Sequence, residues 1–447
     1  MRCVSCRAYA WFIALSVTAV GCRDAPTAAD RSTVTPNAPV FALRSELPFS
    51  EELAELGDEI FDDTNLSLRK NQACNSCHAS AWGFTGPDPA INAAGAVYAG
   101  SIPTRFGDRK PPSSAYSTLS PVLEYVRAAG GMFVGGSFWD GRATGERLGS
   151  AAADQAQGPF LNPVEQALPD AACVVYRVSV APYVNDYVTL WGNDILTIAF
   201  PVNTDDLCGI EGITVPLSPT DRTKVDAEFA KVAIAIAVYE QSHNLFSAKF
   251  DAARRGQYTL SKQEEQGFAL FQGKGKCARC HVSGGQQPAF TDHTYDNVGL
   301  PANPQNPIYQ TNPGFVDLGL GGFVASRPEW SVLAPAEIGK FRVPTLRNAD
   351  LRPYVGAPKA YGHNGVLKSL EEIVHFYNTR DVLPRCPSGA ARSAWGVTCW
   401  PAPEVEQNVN RIELGDLGLT LEEEAAIVAF LRTLSDGFIS EGGERKR

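Results

Sequence analysis

The sequence predicts a mostly α-helical fold in two similar halves with long irregular loops. A short amphipathic segment that runs into a C-x-x-C-H motif occurs twice, with the motifs at 74–78 and 277–281. Apolar residues recur at helical spacing over 221–243 and 420–434, which predicts two further helices. The intervening chain is rich in Gly and Pro (40 and 31 residues in total), and its strand patterns are weak. Something other than a continuous sheet is therefore expected to fill the core.

The predicted helices have start signals in the sequence. Ser261 and Glu264 form a capping box ahead of the second motif, and Thr420 and Glu423 form another ahead of the final helix. We expect the middle helix, over 221–243, to join the two halves. The positions that echo one another before the two motifs are Leu56, Gly57, Ile60 and Phe61 in the first copy and Gly267, Leu270 and Phe271 in the second.

The amino terminus predicts export. Two arginines flank the start of an apolar stretch at 8–20, whose thirteen residues are too few to span a bilayer core of about 30 Å. Residues 1–21 are therefore predicted to be a signal peptide. The small residues before Cys22 resemble a bacterial lipoprotein cleavage box, so Cys22 carries a lipid anchor or, alternatively, ordinary cleavage nearby leaves a soluble chain. Either outcome places the protein in the periplasm, behind a flexible tether at 22–46.

The C-x-x-C-H spacing indicates covalently attached haem. Two thiols at this spacing add to the haem vinyl groups, and the adjacent histidine ligates the iron. The alternatives are a zinc site, which would need further Cys or His close to His78, and a thioredoxin-like dithiol. For two c-type haems the predicted attachment residues are Cys74, Cys77 and His78, and Cys277, Cys280 and His281.

Four other cysteines and the net charge add two constraints. Cys173, Cys208, Cys386 and Cys399 allow three pairings, of which Cys173 with Cys208 and Cys386 with Cys399 each close a local insertion. Disulfides are permitted in an exported chain. The formal charge of −10 disfavours a general nucleic-acid binder, which needs a positive face.

Several further motifs resemble those of the bacterial di-haem cytochrome c peroxidases and their relatives of the MauG type. They occur in family order between about residues 50 and 436. The segments that carry this resemblance are 136–142 (GSFWDGR), 155–165 (QAQGPFLNPVE), 341–348 (FRVPTLRN), and 361–365 (YGHNG) followed by 369–372 (SLEE).

This resemblance implies two cytochrome c-like domains, each wrapped around one haem. The expected organisation is an N-terminal peroxidatic domain at 47–220, a linking helix at 221–254 and a C-terminal electron-transfer domain at 255–447. It also implies hydrogen peroxide as substrate, a small redox protein as donor or an oxidisable protein as substrate, and it allows a homodimer.

The resemblance places a distal Gln, Pro and Glu over the first haem iron, at Gln155, Pro159 and Glu165. A carboxylate there can take a proton from the inner peroxide oxygen and return it to the outer one. Typical family peroxidases have a distal histidine after the first motif, but this chain has none between His78 and His243. We therefore expect His78 to be the only protein ligand of the first iron in the resting enzyme.

The second iron is expected to have His281 and Tyr377 as ligands. Many relatives use a methionine, but Met1 lies in the signal peptide and Met132 belongs to the other haem module. The position that matches the methionine of such relatives is Tyr377, which resembles the MauG branch. His375 is the nearest rival ligand.

The resemblance also gives roles to residues outside the iron ligands. Trp139 would relay electrons between the haems. His363 and His293 are expected to be structural, and His243 to cap a helix as a cation. Relatives bind calcium between their domains, but Lys110 and Arg352 stand at the matching positions, so calcium is doubtful and the hypothesis is that these cations replace it.

The motifs and the family resemblance leave three candidate functions. The first is a peroxidase that reduces hydrogen peroxide at the N-terminal haem with electrons from the C-terminal haem. The second is a MauG-like enzyme that oxidises Trp or Tyr of a partner protein. The third, from another class, is a di-haem electron carrier without catalysis, which Gln155, Pro159 and Glu165 argue against.

Overall fold

The computed structural model describes residues 47–439, and this part of the chain is mostly helical, as predicted. The predicted signal peptide, Cys22 and the tether lie outside the described residues. Within 47–439, no helix combines the length and the apolar character that crossing a membrane requires.

Fourteen α-helices and two short antiparallel ribbons make up the regular structure of residues 47–439. The ribbons pair β1 (Glu124–Val126) with β2 (Met132–Val134) and β3 (Tyr295–Asp296) with β4 (Phe341–Arg342). The helices are α1 (Glu51–Asp62), α2 (Pro89–Ala93), α3 (Ala151–Leu161), α4 (Ala171–Ser179), α5 (Val184–Trp191), α6 (Thr204–Leu207), α7 (Pro219–Ser242), α8 (Lys249–Arg254), α9 (Lys262–Gln272), α10 (Ile308–Thr311), α11 (Leu320–Ser326), α12 (Ala334–Glu337), α13 (Leu370–Thr379) and α14 (Leu421–Arg432).

The similar residues that precede the two C-x-x-C-H motifs belong to a pair of crossing helices that occurs in both halves. Helix α1 packs on α7, and α9 packs on α14. At both crossings a glycine lets the backbones approach: a Cβ on Gly57 would lie 2.1 Å from the Ala235 oxygen, and one on Gly267 would lie 1.9 Å from the Ala426 oxygen. The capping boxes predicted for α9 and α14 are both formed.

The predicted linking helix at 221–254 is wrong as a single helix. Helix α7 ends at Ser242, and the separate helix α8 begins at Lys249. The chain turns between them because Phe246 adopts a φ of 46°, which no α-helix can contain. Helix α7 packs mainly on α1, α3 and α4, which all belong to the N-terminal half.

Two large hydrophobic clusters form the core, and each reaches one motif. The first is built mainly from α1, α3, α4, α5 and α7, and Cys74 packs against it. The second is built mainly from α8, α9, α13 and α14, and Cys277 packs against it. The predicted pairings Cys173–Cys208 and Cys386–Cys399 are both formed, the first within the N-terminal cluster.

Candidate active site

A cavity of about 410 Å³ is lined from both halves of the chain, and both C-x-x-C-H motifs open into it. None of the four motif cysteines is in a disulfide bond. The structure brings all eleven predicted catalytic and haem-binding residues to the wall of this one cavity, namely Cys74, Cys77, His78, Trp139, Gln155, Pro159, Glu165, Cys277, Cys280, His281 and Tyr377.

The two motif histidines are held in the same way. The Nδ1–H of His78 donates to the backbone oxygen of Phe84 (3.1 Å), and that of His281 donates to Phe290 (2.9 Å). Because a carbonyl only accepts, Nδ1 carries the proton in both rings, and Nε2 keeps its lone pair for a metal. Burial lowers the pKa of both rings, to about 4 for His281. Both histidines are thus neutral, as metal ligation requires.

The two carbonyl acceptors repeat as well, and sequence reasoning missed them. Phe84 and Phe290 have φ values of 57° and 54°, in the left-handed region that bulky residues rarely adopt. This conformation turns each carbonyl back toward its histidine. Both phenylalanines precede a threonine, Thr85 and Thr291, so the repeated Phe-Thr pair after each motif was the available signal.

The repeat extends to Trp139, which connects the two copies. The two threonine hydroxyls donate to the backbone oxygens of Pro111 (2.7 Å) and Val343 (2.6 Å). Lys110 and Arg342, which precede these residues, are therefore equivalent positions, and both line the cavity. The Trp139 indole N–H donates to the Lys110 oxygen (2.8 Å), and the Arg342 amide donates to the Trp139 oxygen (2.9 Å).

Gln155, Pro159 and Glu165 form one wall of the cavity. Gln155 and Pro159 lie four positions apart on α3 and so share a face, and Glu165 follows the helix. Burial raises the pKa of Glu165, while Arg142 and a hydrogen bond with Asn162 oppose this shift. A carboxyl with a raised pKa is closer to the range in which it can both accept and return a proton.

Tyr377, and not His375, lies at the cavity. Burial, reinforced by the neighbouring motif cysteines, raises the pKa of Tyr377. Both ring nitrogens of His375 are bonded elsewhere: Nδ1 lies 3.0 Å from the Glu424 carboxylate, and Nε2 lies 2.8 Å from the Gly396 oxygen. Both ring nitrogens are thus engaged, and the hydrogen bond with Glu424 raises the pKa of His375.

The three other histidines are buried or half-buried. His363 lines the cavity with its ring stacked on Phe341 at 3.5 Å, and burial lowers its pKa to about 4. Burial lowers the pKa of His293 to about 3. His243 caps α7 by donating from Nδ1 to the Tyr239 oxygen (2.9 Å). Burial lowers the pKa of His243, which disfavours the cationic form expected for this cap.

Basic side chains lie at the positions where calcium was in doubt. Lys110 Nζ donates to the Pro111 oxygen (3.0 Å), and Arg352 donates to the Ala357 oxygen (2.8 Å). Sequence reasoning missed a third basic side chain, Lys359, which is 4% exposed and whose pKa burial lowers well below the ordinary value. Its Nζ donates to three backbone oxygens, those of Trp82 (2.8 Å), Leu351 (2.7 Å) and Asn348 (3.4 Å).

The chain is similar to known di-haem proteins over most of its length. Residues 51–259 match the di-haem cytochrome c peroxidase family. The chain is 34% identical to the methylamine utilization protein MauG of Paracoccus denitrificans, over 87% of this chain and 90% of that protein. It is 26% identical to the cytochrome-c peroxidase IdrP2 of Denitromonas iodatirespirans, over 86% of this chain and 82% of the relative.

Solved structures agree with these sequence matches. The diheme peroxidase BthA from Burkholderia thailandensis superposes with a TM-score of 0.67 at 26% identity, and the match covers 88% of each chain. The shared length, the two motifs and their common cavity lead to one conclusion. The chain belongs to the family of di-haem cytochrome c peroxidases and MauG, and it is an oxidoreductase with two haems.

Proposed function

We propose that this protein reduces hydrogen peroxide in its N-terminal haem compartment, the part of the cavity around the motif at 74–78. It receives the electrons through its C-terminal haem compartment, the part around the motif at 277–281. The observation that carries this proposal is that Glu165, Gln155 and Pro159 line the same cavity as His78. A mere electron carrier has no use for a carboxyl with a raised pKa at that position.

The residues present fit two covalently bound haems in cytochrome c-like domains. The cysteine pair of each motif would form the thioether links, and the unprotonated Nε2 of His78 and of His281 would bind the irons. When bound, the haems supply irons that exchange single electrons and, at an open face, take up peroxide. Arg342 has a buried Nε without a hydrogen-bond partner and would meet the carboxylates of a haem at the cavity wall.

Glu165 performs the proton transfer in this proposal. Its carboxylate takes the proton from the inner oxygen of hydrogen peroxide and delivers it to the outer oxygen, which leaves as water. Two electrons and two protons in total convert one peroxide into two waters. Gln155 and Pro159, on the neighbouring face of α3, shape the space in which the peroxide lies.

Tyr377 is the proposed second ligand of the C-terminal iron. Met132 lies in β2 and is not among the residues that line the cavity. Burial raises the pKa of this phenol, and a metal cation bound beside it would favour release of the phenol proton. An anionic oxygen ligand stabilises the oxidised iron, whereas a thioether favours the reduced one.

The second candidate function is oxidation of Trp or Tyr residues on a partner protein. It is favoured by Tyr377 and by the 34% identity to MauG. In both cases we propose export through residues 1–21 to the periplasm, with Cys22 as a lipid anchor. Calcium is not required in this proposal because Lys110 and Arg352 stand where its ligands are expected and donate to backbone oxygens there.

Peroxide turnover of Glu165→Gln and Tyr377→Met, with and without an external electron donor, tests the proposal. We expect Glu165→Gln to lose activity under both conditions and Tyr377→Met to change only the donor-dependent rate. Glu422→Gln, at an exposed helix start, is the matched control and should behave like the parent. Two variants that both match the parent would overturn the active-site proposal. Two low-spin haems in the resting ferric protein would instead favour the electron carrier.

A further inference from the structure

The segment closed by the Cys386–Cys399 disulfide (the stapled segment) carries Trp395, and Trp400 directly follows its second cysteine. The proposed function uses neither tryptophan. Trp400 is fully buried, and Trp395 is partly exposed at the surface. Both belong to the hydrophobic cluster that also contains Tyr377. Trp395 is linked to Trp400 through the backbone, because Trp395 forms a bridge with Cys399, the residue before Trp400. The aromatic side chains of this cluster thus reach from the cavity wall to the surface.

Two ring contacts lead from Tyr377 to Trp400. The ring centroids of Tyr377 and Phe376 are 6.2 Å apart, and those of Phe376 and Trp400 are 4.9 Å apart. The Trp400 indole N–H donates to Thr379 Oγ1 (3.0 Å), which fixes this ring on the helix that carries Tyr377. On its other side Trp400 lies against Gly396 of the stapled segment, where an added Cβ would be 3.0 Å from the indole.

The cation beside the Trp395 indole is compensated. A lone cation over an indole ring opposes removal of an electron from that ring. The Arg392 guanidinium lies 4.5 Å from the Trp395 ring, and Arg392 is in an ion pair with Glu372. The Glu372 carboxylate therefore offsets positive charge beside Trp395.

We propose that Trp395 and Trp400 conduct electrons between a redox protein docked at Trp395 and the C-terminal haem compartment at Tyr377. This inference rests on the proposed function, because hydrogen peroxide is the oxidant. Trp400 donates one electron to the oxidised C-terminal haem compartment through Phe376 and Tyr377. Trp395 then reduces Trp400. The one-electron reductant of the partner protein reduces Trp395. The indoles keep their protons, because the Thr379 hydroxyl that accepts from Trp400 is not a base. Two such electrons, with two protons from water, complete the reduction of one peroxide.

Peroxide treatment of the holoprotein without any donor tests this path. Electrons must then come from the protein, and peptide mass spectrometry locates the oxidised tryptophans. We expect oxidation at Trp395 several-fold above that at Trp330. Trp330 is the matched control because it is also partly exposed and lies under an arginine, Arg327 at 4.8 Å, but it packs in a different cluster. Equal oxidation at Trp395 and Trp330 would overturn the proposal.

A second variant separates conduction from a structural role. Trp400→Phe should lower oxidation at Trp395 several-fold, whereas simple loosening of the segment would expose Trp395 and raise it. Trp330→Phe should leave Trp395 oxidation unchanged. The haem absorption spectrum after peroxide addition distinguishes the two levels of failure. If it changes and Trp395 stays intact, only the path is wrong; if it does not change, the proposed function fails and the path fails with it.

Discussion

The backbone oxygen of Ala426 occupies the position that a side chain on Gly267 would need, since a Cβ there would lie 1.9 Å away. Gly57 has the same relation to Ala235, at 2.1 Å. In each half this close crossing holds the helix that leads into a C-x-x-C-H motif. The stability of the fold and the placement of the motifs therefore depend on the absence of one methyl group.

Gly267→Ala should destabilise the protein by about 2 kcal/mol, within the usual range for an overpacked contact. The backbones of α9 and α14 would have to separate, and neither can yield by rotating a side chain. Thermal unfolding measures the effect. Gly284→Ala is the control, because a Cβ at Gly284 meets nothing within 4 Å. Equal melting temperatures for Gly267→Ala and the parent would contradict this account of the crossing.

Peroxide reduction should depend on pH through Glu165. The carboxylate form accepts the first proton, so the rate should fall as pH drops through a pKa above the ordinary value of 4.5. Glu165→Gln should lose about 10²- to 10⁴-fold in rate together with this pH dependence. Stopped-flow measurements between pH 4 and 9 would show both. A Gln variant that keeps the acid limb would assign that limb to another group.

Glu240 should make the folded protein less stable as pH rises. Burial raises the pKa of this carboxyl to about 8, and the Ser117 hydroxyl donates to it at 2.6 Å. Above pH 4.5 the unfolded chain releases the proton while the folded chain keeps it, so unfolding becomes more favourable up to about pH 8. Each pKa unit between the folded and the unfolded value for Glu240 corresponds to about 1.4 kcal/mol in the free energy of unfolding.

Replacing Glu240 with Gln should remove this loss. The melting temperature of Glu240→Gln relative to the parent should increase from pH 5 to pH 8, because the amide cannot ionise but still accepts from Ser117. The exposed Glu55→Gln is the control and should show no such trend. A constant difference across this range would mean that Glu240 is already ionised in the folded protein.

Tyr377→Met should raise the reduction potential of one haem, because a thioether replaces an anionic oxygen ligand. Spectroelectrochemical titration of the holoprotein measures the potentials of both haems. His375→Gln is the control two positions away on α13, and it should leave both potentials close to those of the parent. A large shift in His375→Gln with none in Tyr377→Met would exchange the two roles.

Calcium removal should have little effect on this protein. We expect elemental analysis after dialysis against calcium to find less than one equivalent, and a chelator to leave peroxide turnover unchanged. Lys359→Met should lower the melting temperature, because it leaves the buried oxygens of Trp82 and Leu351 without a donor. Stoichiometric calcium in the parent protein would refute the replacement of the ion by cationic side chains.

Local features of this protein could be predicted from its residues alone. The attachment motifs, the capping boxes of α9 and α14 and the echo between the two halves are short patterns, and short patterns depend on neighbours along the chain. The pairing of the four remaining cysteines followed from the same locality, since both bridges close nearby segments.

Which side chains share the cavity depends on packing between distant parts of the chain. Tyr377 and His375 lie two positions apart on one helix, and packing against α14 and the stapled segment engages His375 with Glu424 and Gly396. Two other features could not be predicted from the sequence, namely the end of α7 at Ser242 and the backbone oxygens that surround Lys359. Both depend on residues far apart in the chain. A motif of neighbouring residues can be recognised in the sequence, because its chemistry depends on residues that are adjacent in the chain. The direction in which a side chain points is set by the helices and loops that pack around it.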